Sequence, residues 1–127
     1  MREPIRDRER LLHIREAADF VIDHVKGVSF EMFLSDKLLY GALIYYTMVI
    51  GEAAYKLSRE FTEKYCDTPW SDIAGMRHHI VHGYYKVDNR VVWSIITNDI
   101  PALRTRVQQY LDEIDWTQWE STQPKQQ

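Results

Sequence analysis

One cysteine, Cys66, stands in 127 residues, so the chain has no pair for an internal disulfide and no basis for a thiolate metal site. That suits a reducing compartment. Glycine and proline are scarce, at five and four residues, which argues against a turn-dense β-sandwich and for long helices. No long hydrophobic run is present. The most apolar stretch, Ala42 to Ile50, falls far short of the roughly 20 residues a membrane-spanning helix needs. The first ten residues alternate in charge and hold no apolar segment of the secretory kind. An overall excess of positive charge is missing too. The formal net charge is −3 and the pI near 5.9, so no broad basic field advertises nucleic-acid binding. Positive charge confined to one cleft stays compatible with that balance. The expectation is a soluble cytoplasmic protein with no membrane association. What the chain does have is core material: 45% of residues are apolar and 13% aromatic. That excludes intrinsic disorder and suffices, at this length, for one domain.

No internal repeat, glycine-rich phosphate loop, Ser/His/Asp arrangement or dinucleotide fingerprint occurs. Helical periodicity predicts a first helix from Asp7 to about Lys26. Leu11, Ile14, Ala18, Val21, Ile22 and Val25 form its apolar stripe, and Gly27 closes it. Ser29 to Leu34 reads as a short connecting element whose Phe30 and Phe33 fold over the core. A long second helix is expected from about Asp36, with Ser35 as N-cap, to near Lys64. Its middle is apolar around much of its circumference, as in a central bundle helix. Gly41 and Gly51 inside it each cost about 1 kcal/mol relative to Ala. Either close helix approach or a neighbouring site explains their presence, and Glu52 directly follows. Thr68 and Pro69 read as N-cap and first residue of a third helix reaching about His82, with Gly83 as C-cap. A fourth helix is expected from Asp88 or Asn89 towards Ile114, kinked or divided by Pro101. The chain then turns polar, and Trp116 and Trp119 are placed to pin the start of a tail. The fold class expected is all-α, an antiparallel four-helix-type bundle over residues 1–114, with residues 115–127 as a polar C-terminal tail.

The chemistry-bearing residues concentrate between Arg77 and Arg90, where three cations and three histidines face one acid, Asp88. On a wheel of about 100° per residue, Arg77 falls inside the apolar stripe of the third helix. An Arg so placed calls for a carboxylate or phosphate partner. His82 lies about 140° further round, so the two cannot meet one phosphate within an unbroken helix. Either the helix unwinds at Gly83, or two chains each supply part of the site. Tyr84 and Tyr85 follow, with Lys86 and Arg90 adding charge. Such a set suits phosphodiester chemistry. Histidine, which titrates near neutrality, takes a proton from an RNA 2′-hydroxyl or gives one to the leaving oxygen. A guanidinium holds the non-bridging oxygens as their charge grows. The internal 2′-hydroxyl nucleophile makes a metal or other cofactor unnecessary. Two alternatives stay open: plain interface packing and capping, and a metal held by His78 and His82, spaced i,i+4. Glu52 reads either as a partly exposed structural acid or as a lining residue of the same cleft. His13 and His24 read as surface histidines.

These residues stand in an order that resembles the HepT-like family, within the wider group of HEPN all-helical domains, from Asp7 to Ile114. The pieces are Arg6-Asp-Arg-Glu-Arg-Leu-Leu-His-Ile, Ile50-Gly-Glu-Ala, Pro69-Trp, Met76-Arg77, His82-Gly-Tyr84, and Val87-Asp88 leading to Val92-Trp93. The resemblance implies a homodimeric bundle that acts as a metal-independent ribonuclease toxin on RNA, tRNA included. It makes Arg77 the phosphate clamp and His82 the acid/base, meeting near the dimer interface. It also implies an MntA-like nucleotidyltransferase antitoxin that silences the toxin by transferring AMP to Tyr84, with His78, Glu52 and Lys86 in supporting positions. Many relatives carry Asn where this chain has His78. The competing function is a catalytically idle helical module that partners a nucleotidyltransferase or binds a nucleotide.

Overall fold

The structure, a computed structural model, describes residues 6–82 and 88–122, the side chains of His79, Val81 and His82 excepted. Among the described residues the chain forms helices and turns and no strand. In order these are α1 (Asp7–Val25), α2 (Phe30–Ser35), α3 (Lys37–Tyr55), α4 (Arg59–Lys64) and α5 (Trp70–His82). There follow α6 (Asn89–Ser94), a π-helical turn (Ile95–Asp99), α7 (Ile100–Glu113) and α8 (Trp116–Thr122). The architecture is an all-α bundle. The stripe of α1 buries Leu11, Ile14, Ala18 and Val21 against α3 and α7, and Gly27, at φ 72°, ends the helix region in the left-handed conformation. α3 is the central element, packed on α1 on one side and α5 on the other. By length and composition α3 would also suffice to cross a membrane, which a core helix does equally well. In the bundle it buries Leu43, Thr47, Ile50 and Gly51, and the Thr47 hydroxyl donates back to the Leu43 carbonyl at 2.8 Å.

The connections differ from the sequence expectation in instructive ways. The N-cap of α3 is Asp36, whose carboxylate accepts from the Leu39 N–H at 3.0 Å, while the Ser35 hydroxyl donates to the Met32 carbonyl. The expected single helix to Lys64 breaks after Tyr55, and α4 restarts behind Ser58. Asp7 braces the break. Its carboxylate is buried and accepts from the Ser58 N–H at 2.7 Å, the Ser58 hydroxyl at 2.6 Å and the Trp119 indole N–H at 3.1 Å. Ser58 Oγ in turn accepts from the Phe61 N–H, capping α4. α5 begins at Trp70, and the Thr68 hydroxyl just before it bonds to the Tyr110 hydroxyl.

The expected fourth helix is divided near Pro101 into α6 and α7, with a π turn between them in place of a loop. The five-residue π turn before the proline lets the Ile100 N–H donate to the Ile95 carbonyl, so the ladder passes the missing proline donor. Ile96, Ile100, Leu103 and Val107 all stay buried as a result. The stretch expected as a polar tail is helical from Trp116 to Thr122. Phe61, fully buried, draws it in: the rings of Tyr65, Trp70, Tyr110, Trp116 and Trp119 surround it with centroids 4.8–6.1 Å away. At the other end Phe33 is buried between Tyr40 and Trp93, at 4.9 and 5.0 Å.

Removing the Asp7 carboxylate orphans three donors from two other helices. Asp7→Ala is therefore expected to lower the unfolding free energy by about 2–4 kcal/mol. Urea denaturation followed by tryptophan fluorescence measures this, and a change below about 0.5 kcal/mol, the level of an ordinary surface substitution, would contradict the role.

Candidate active site on helix α5

The site starts from a residue without a side chain. A Cβ at Gly51 would lie 3.0 Å from the Arg77 backbone nitrogen and 3.2 Å from both Arg77 Cβ and the Ile73 carbonyl. Hydrogen alone lets α3 and α5 approach this closely. Gly41, by contrast, has nothing within 4 Å of its would-be Cβ. Of the two explanations open for these glycines, close approach applies to Gly51 and not to Gly41.

The residues just after Gly51 then meet Arg77. Glu52 Oε2 lies 3.2 Å from Arg77 Nη1, and Glu52 Oε1 lies 3.4 Å from Lys56 Nζ one turn on. Arg77 Cζ stands 4.0 Å over the Tyr55 ring, a cation–π contact. The Arg77 Nε is buried without a partner, while the side chain as a whole remains 35% exposed. At such exposure an ion pair contributes only about 0.2–1 kcal/mol to stability. The consequence of these contacts is orientation: a carboxylate and a ring fix one guanidinium at the edge of an open groove. That groove, about 760 Å³ in volume, is lined by Tyr55, Arg59, Arg77 and His78 among others. The entry to α5 is fixed separately. Arg106 hydrogen-bonds Asp67 and holds its carboxyl below the usual carboxylate range, and burial pushes the Tyr110 phenol up.

The residues singled out in the sequence separate as follows. Glu52, Arg77 and His78 come together around the α3–α5 contact, Glu52 as the carboxylate that an inward Arg requires. Arg90 does not join them; its guanidinium lies over the Phe30 ring at 5.2 Å. α5 is helical from Trp70 through His82, and the expected alternative of an unwinding at Gly83 lies outside the described residues. Tyr84 and Lys86, with Gly83, Tyr85 and Val87, lie outside the described residues, as does the His82 side chain. Among the described residues no three of His, Cys, Asp and Glu gather as metal ligands. Sequence reasoning missed Tyr55 and Lys56. The only signal for them was their spacing from Gly51 and Glu52 on one helix, which carries no meaning until α5 is placed.

The two glycines make opposite predictions. Gly51→Ala drives a methyl into the α5 backbone and is expected to destabilise by about 1–3 kcal/mol, against the helix preference of alanine. Gly41→Ala enters open space and is expected to stabilise by up to about 1 kcal/mol. Thermal unfolding of the pair checks this, and equal shifts would contradict the close approach.

The family model described as "Ribonuclease HepT-like" matches residues 14–110, which contain Gly51, Glu52, Tyr55, Arg77 and His82. A protein of Caldanaerobacter subterraneus subsp. tengcongensis named "Putative RNase TTE0752" is 41% identical over 106 residues, covering 84% of this chain and 95% of that protein. "Probable ribonuclease HepT" of Thermococcus cleftensis is 34% identical over 97 residues, covering 76% of this chain and 88% of its own. No solved structure matches. A match across most of the bundle, with relatives covered almost end to end, means that the chain belongs to the HepT-like ribonuclease family.

Proposed function

We propose that the protein is a cytoplasmic, metal-independent endoribonuclease toxin that cleaves RNA, with tRNA as the substrate class, and acts as a homodimer. One observation supports it above the rest: the Arg77 guanidinium, oriented by Glu52 and Tyr55, at the edge of a groove on the helix that also carries His82. In this reading Arg77 holds the non-bridging oxygens of the scissile phosphate. The 2′-oxygen attacks phosphorus, the bond to the 5′-oxygen breaks, and a 2′,3′-cyclic phosphate and a 5′-hydroxyl result. His82 moves the proton, taking it from the 2′-hydroxyl or delivering it to the departing 5′-oxygen. On a helix intact through His82, Arg77 and His82 act on one phosphate most directly when two protomers contribute one each. The silencing partner is an MntA-like nucleotidyltransferase antitoxin that transfers AMP from ATP to the Tyr84 phenol, the phenol oxygen bonding to the α-phosphorus as pyrophosphate leaves. The added phosphate repels the RNA backbone and its bulk obstructs the cleft.

Cleavage of total tRNA in EDTA tests the reading, after intact-mass measurement shows Tyr84 to be unmodified. Wild type is expected to cleave, and Arg77→Ala and His82→Ala to lose at least about 100-fold. The cognate nucleotidyltransferase is expected to add AMP to wild type and not to Tyr84→Phe. Absence of cleavage by unmodified wild type would move the assignment to an idle partner module of the nucleotidyltransferase. Cleavage only on addition of a metal would overturn the metal-independent mechanism.

A further inference from the structure

The hollows on the two sides of α5 differ in charge. The one towards α6 and α7, about 730 Å³, is lined by Asp67, Asp72 and Asp99 against a single cation, Arg106, which is already paired with Asp67. The one towards α3 and α4 carries Arg59, Arg77 and His78 and no acid among its described lining residues. Glu52 and Glu63 pair with Arg77 and Arg59 from outside that lining, so the second hollow is less acidic than the first rather than free of acids. A polyanion is repelled by the first hollow and drawn into the second. Arg59 pairs with Glu63, yet its side chain is 87% exposed, and such a pair yields readily to a phosphate. Thr62 and Ser71 add hydroxyls along the same groove.

Tyr55 supplies what charge alone lacks. Arg77 lies over its ring, and the residue is nevertheless 61% exposed. A ring covered on one face and still so open presents its other face to solvent. Resting on the ribonuclease reading, we propose that this groove binds single-stranded RNA, with one nucleobase stacked on the outer face of Tyr55 and the neighbouring phosphates held by Arg77 and Arg59. The base, the Tyr55 ring and the Arg77 guanidinium then form one three-layer stack, which ties recognition of a base to the position of the phosphate clamp. A single strand suits the stack best, because a base inside a duplex must first be unstacked and unpaired to lie on the ring.

An abasic scan tests the stack. Short 2′-O-methyl oligonucleotides, in which the blocked nucleophile prevents cleavage, are bound to the unmodified protein and followed by fluorescence anisotropy, with one base deleted at each position in turn. Wild type and Tyr55→Phe are expected to lose about 5- to 150-fold in affinity at one position, the range of a single base–aromatic stack. Tyr55→Ala is expected to bind the intact strand more weakly and to be indifferent to that same deletion. Loss of support for Arg77 alone would weaken binding evenly and leave the positional penalty in place. A penalty that survives in Tyr55→Ala, or none at any position, would overturn the stack while leaving RNA binding and the ribonuclease reading intact. No binding of any oligonucleotide by wild type would overturn both, and would leave the groove to a protein segment.

Discussion

The approach of α3 to α5 at Gly51 decides the arrangement around Arg77. Only a hydrogen fits between the two helices there, and the α5 backbone at Ile73 and Arg77 rests directly on α3. From that contact the rest follows by helical geometry. Glu52 is the next residue on α3 and Tyr55 lies one turn further, so a carboxylate and an aromatic ring reach the same guanidinium. Their contribution to stability is small, because the pair is half exposed. Cohesion comes from the buried side chains nearby, Leu43 and Ile50 on α3 and Trp70 and Ile80 on α5. The polar contacts at Arg77 direct a charge, and the apolar ones hold the helices that carry it.

The opposite end of α5 is fixed by a different device. Thr68 bonds to Tyr110, Asp67 to Arg106, and Trp70 packs in the ring cluster around Phe61. The same cluster takes in α8, and Asp7 joins the starts of α1 and α4 to Trp119. α5 is thus anchored at its start and pressed on α3 at its middle, while its last residue is His82. The two hollows on its flanks take their charge from different places: acids from the turn before α5, from α5 itself and from the π turn before α7 on one side, cations from α4 and from α5 on the other. An acidic protein can therefore belong to a ribonuclease family without a general basic surface.

Much of this was legible in the residues. The stripe of α1, its end at Gly27 and the placement of Arg77 on a packed face all follow from helical periodicity and from what a single glycine permits. Glu52 stood out as a carboxylate beside an apolar stripe, but its partner lies on another helix. The break between α3 and α4 was not legible, since the group that braces it, Asp7, is 51 residues from Ser58 in sequence. Nor was the α8 helix, whose polar composition hides two indoles that find Phe61 only in the folded chain. Pro101 announced an interruption, yet composition does not tell a kink from a π turn that absorbs the missing donor. Tyr55 was missed for the same reason as Asp7: an exposed aromatic at a helix end gains meaning from what α5 lays against it.

The measurement that tests the account most directly is complementation between two inactive variants. Five residues of helical spacing separate Arg77 from His82 by about 140°, and the proposal is that a working site draws them from two chains. Arg77→Ala and His82→Ala proteins, each inactive alone, are mixed and allowed to exchange subunits, with exchange verified by native mass spectrometry. The account predicts recovery of about a quarter of wild-type cleavage, since random exchange makes half the dimers mixed and gives each of these one whole site. Full exchange with no recovered activity would contradict it and place both residues of a site on a single chain.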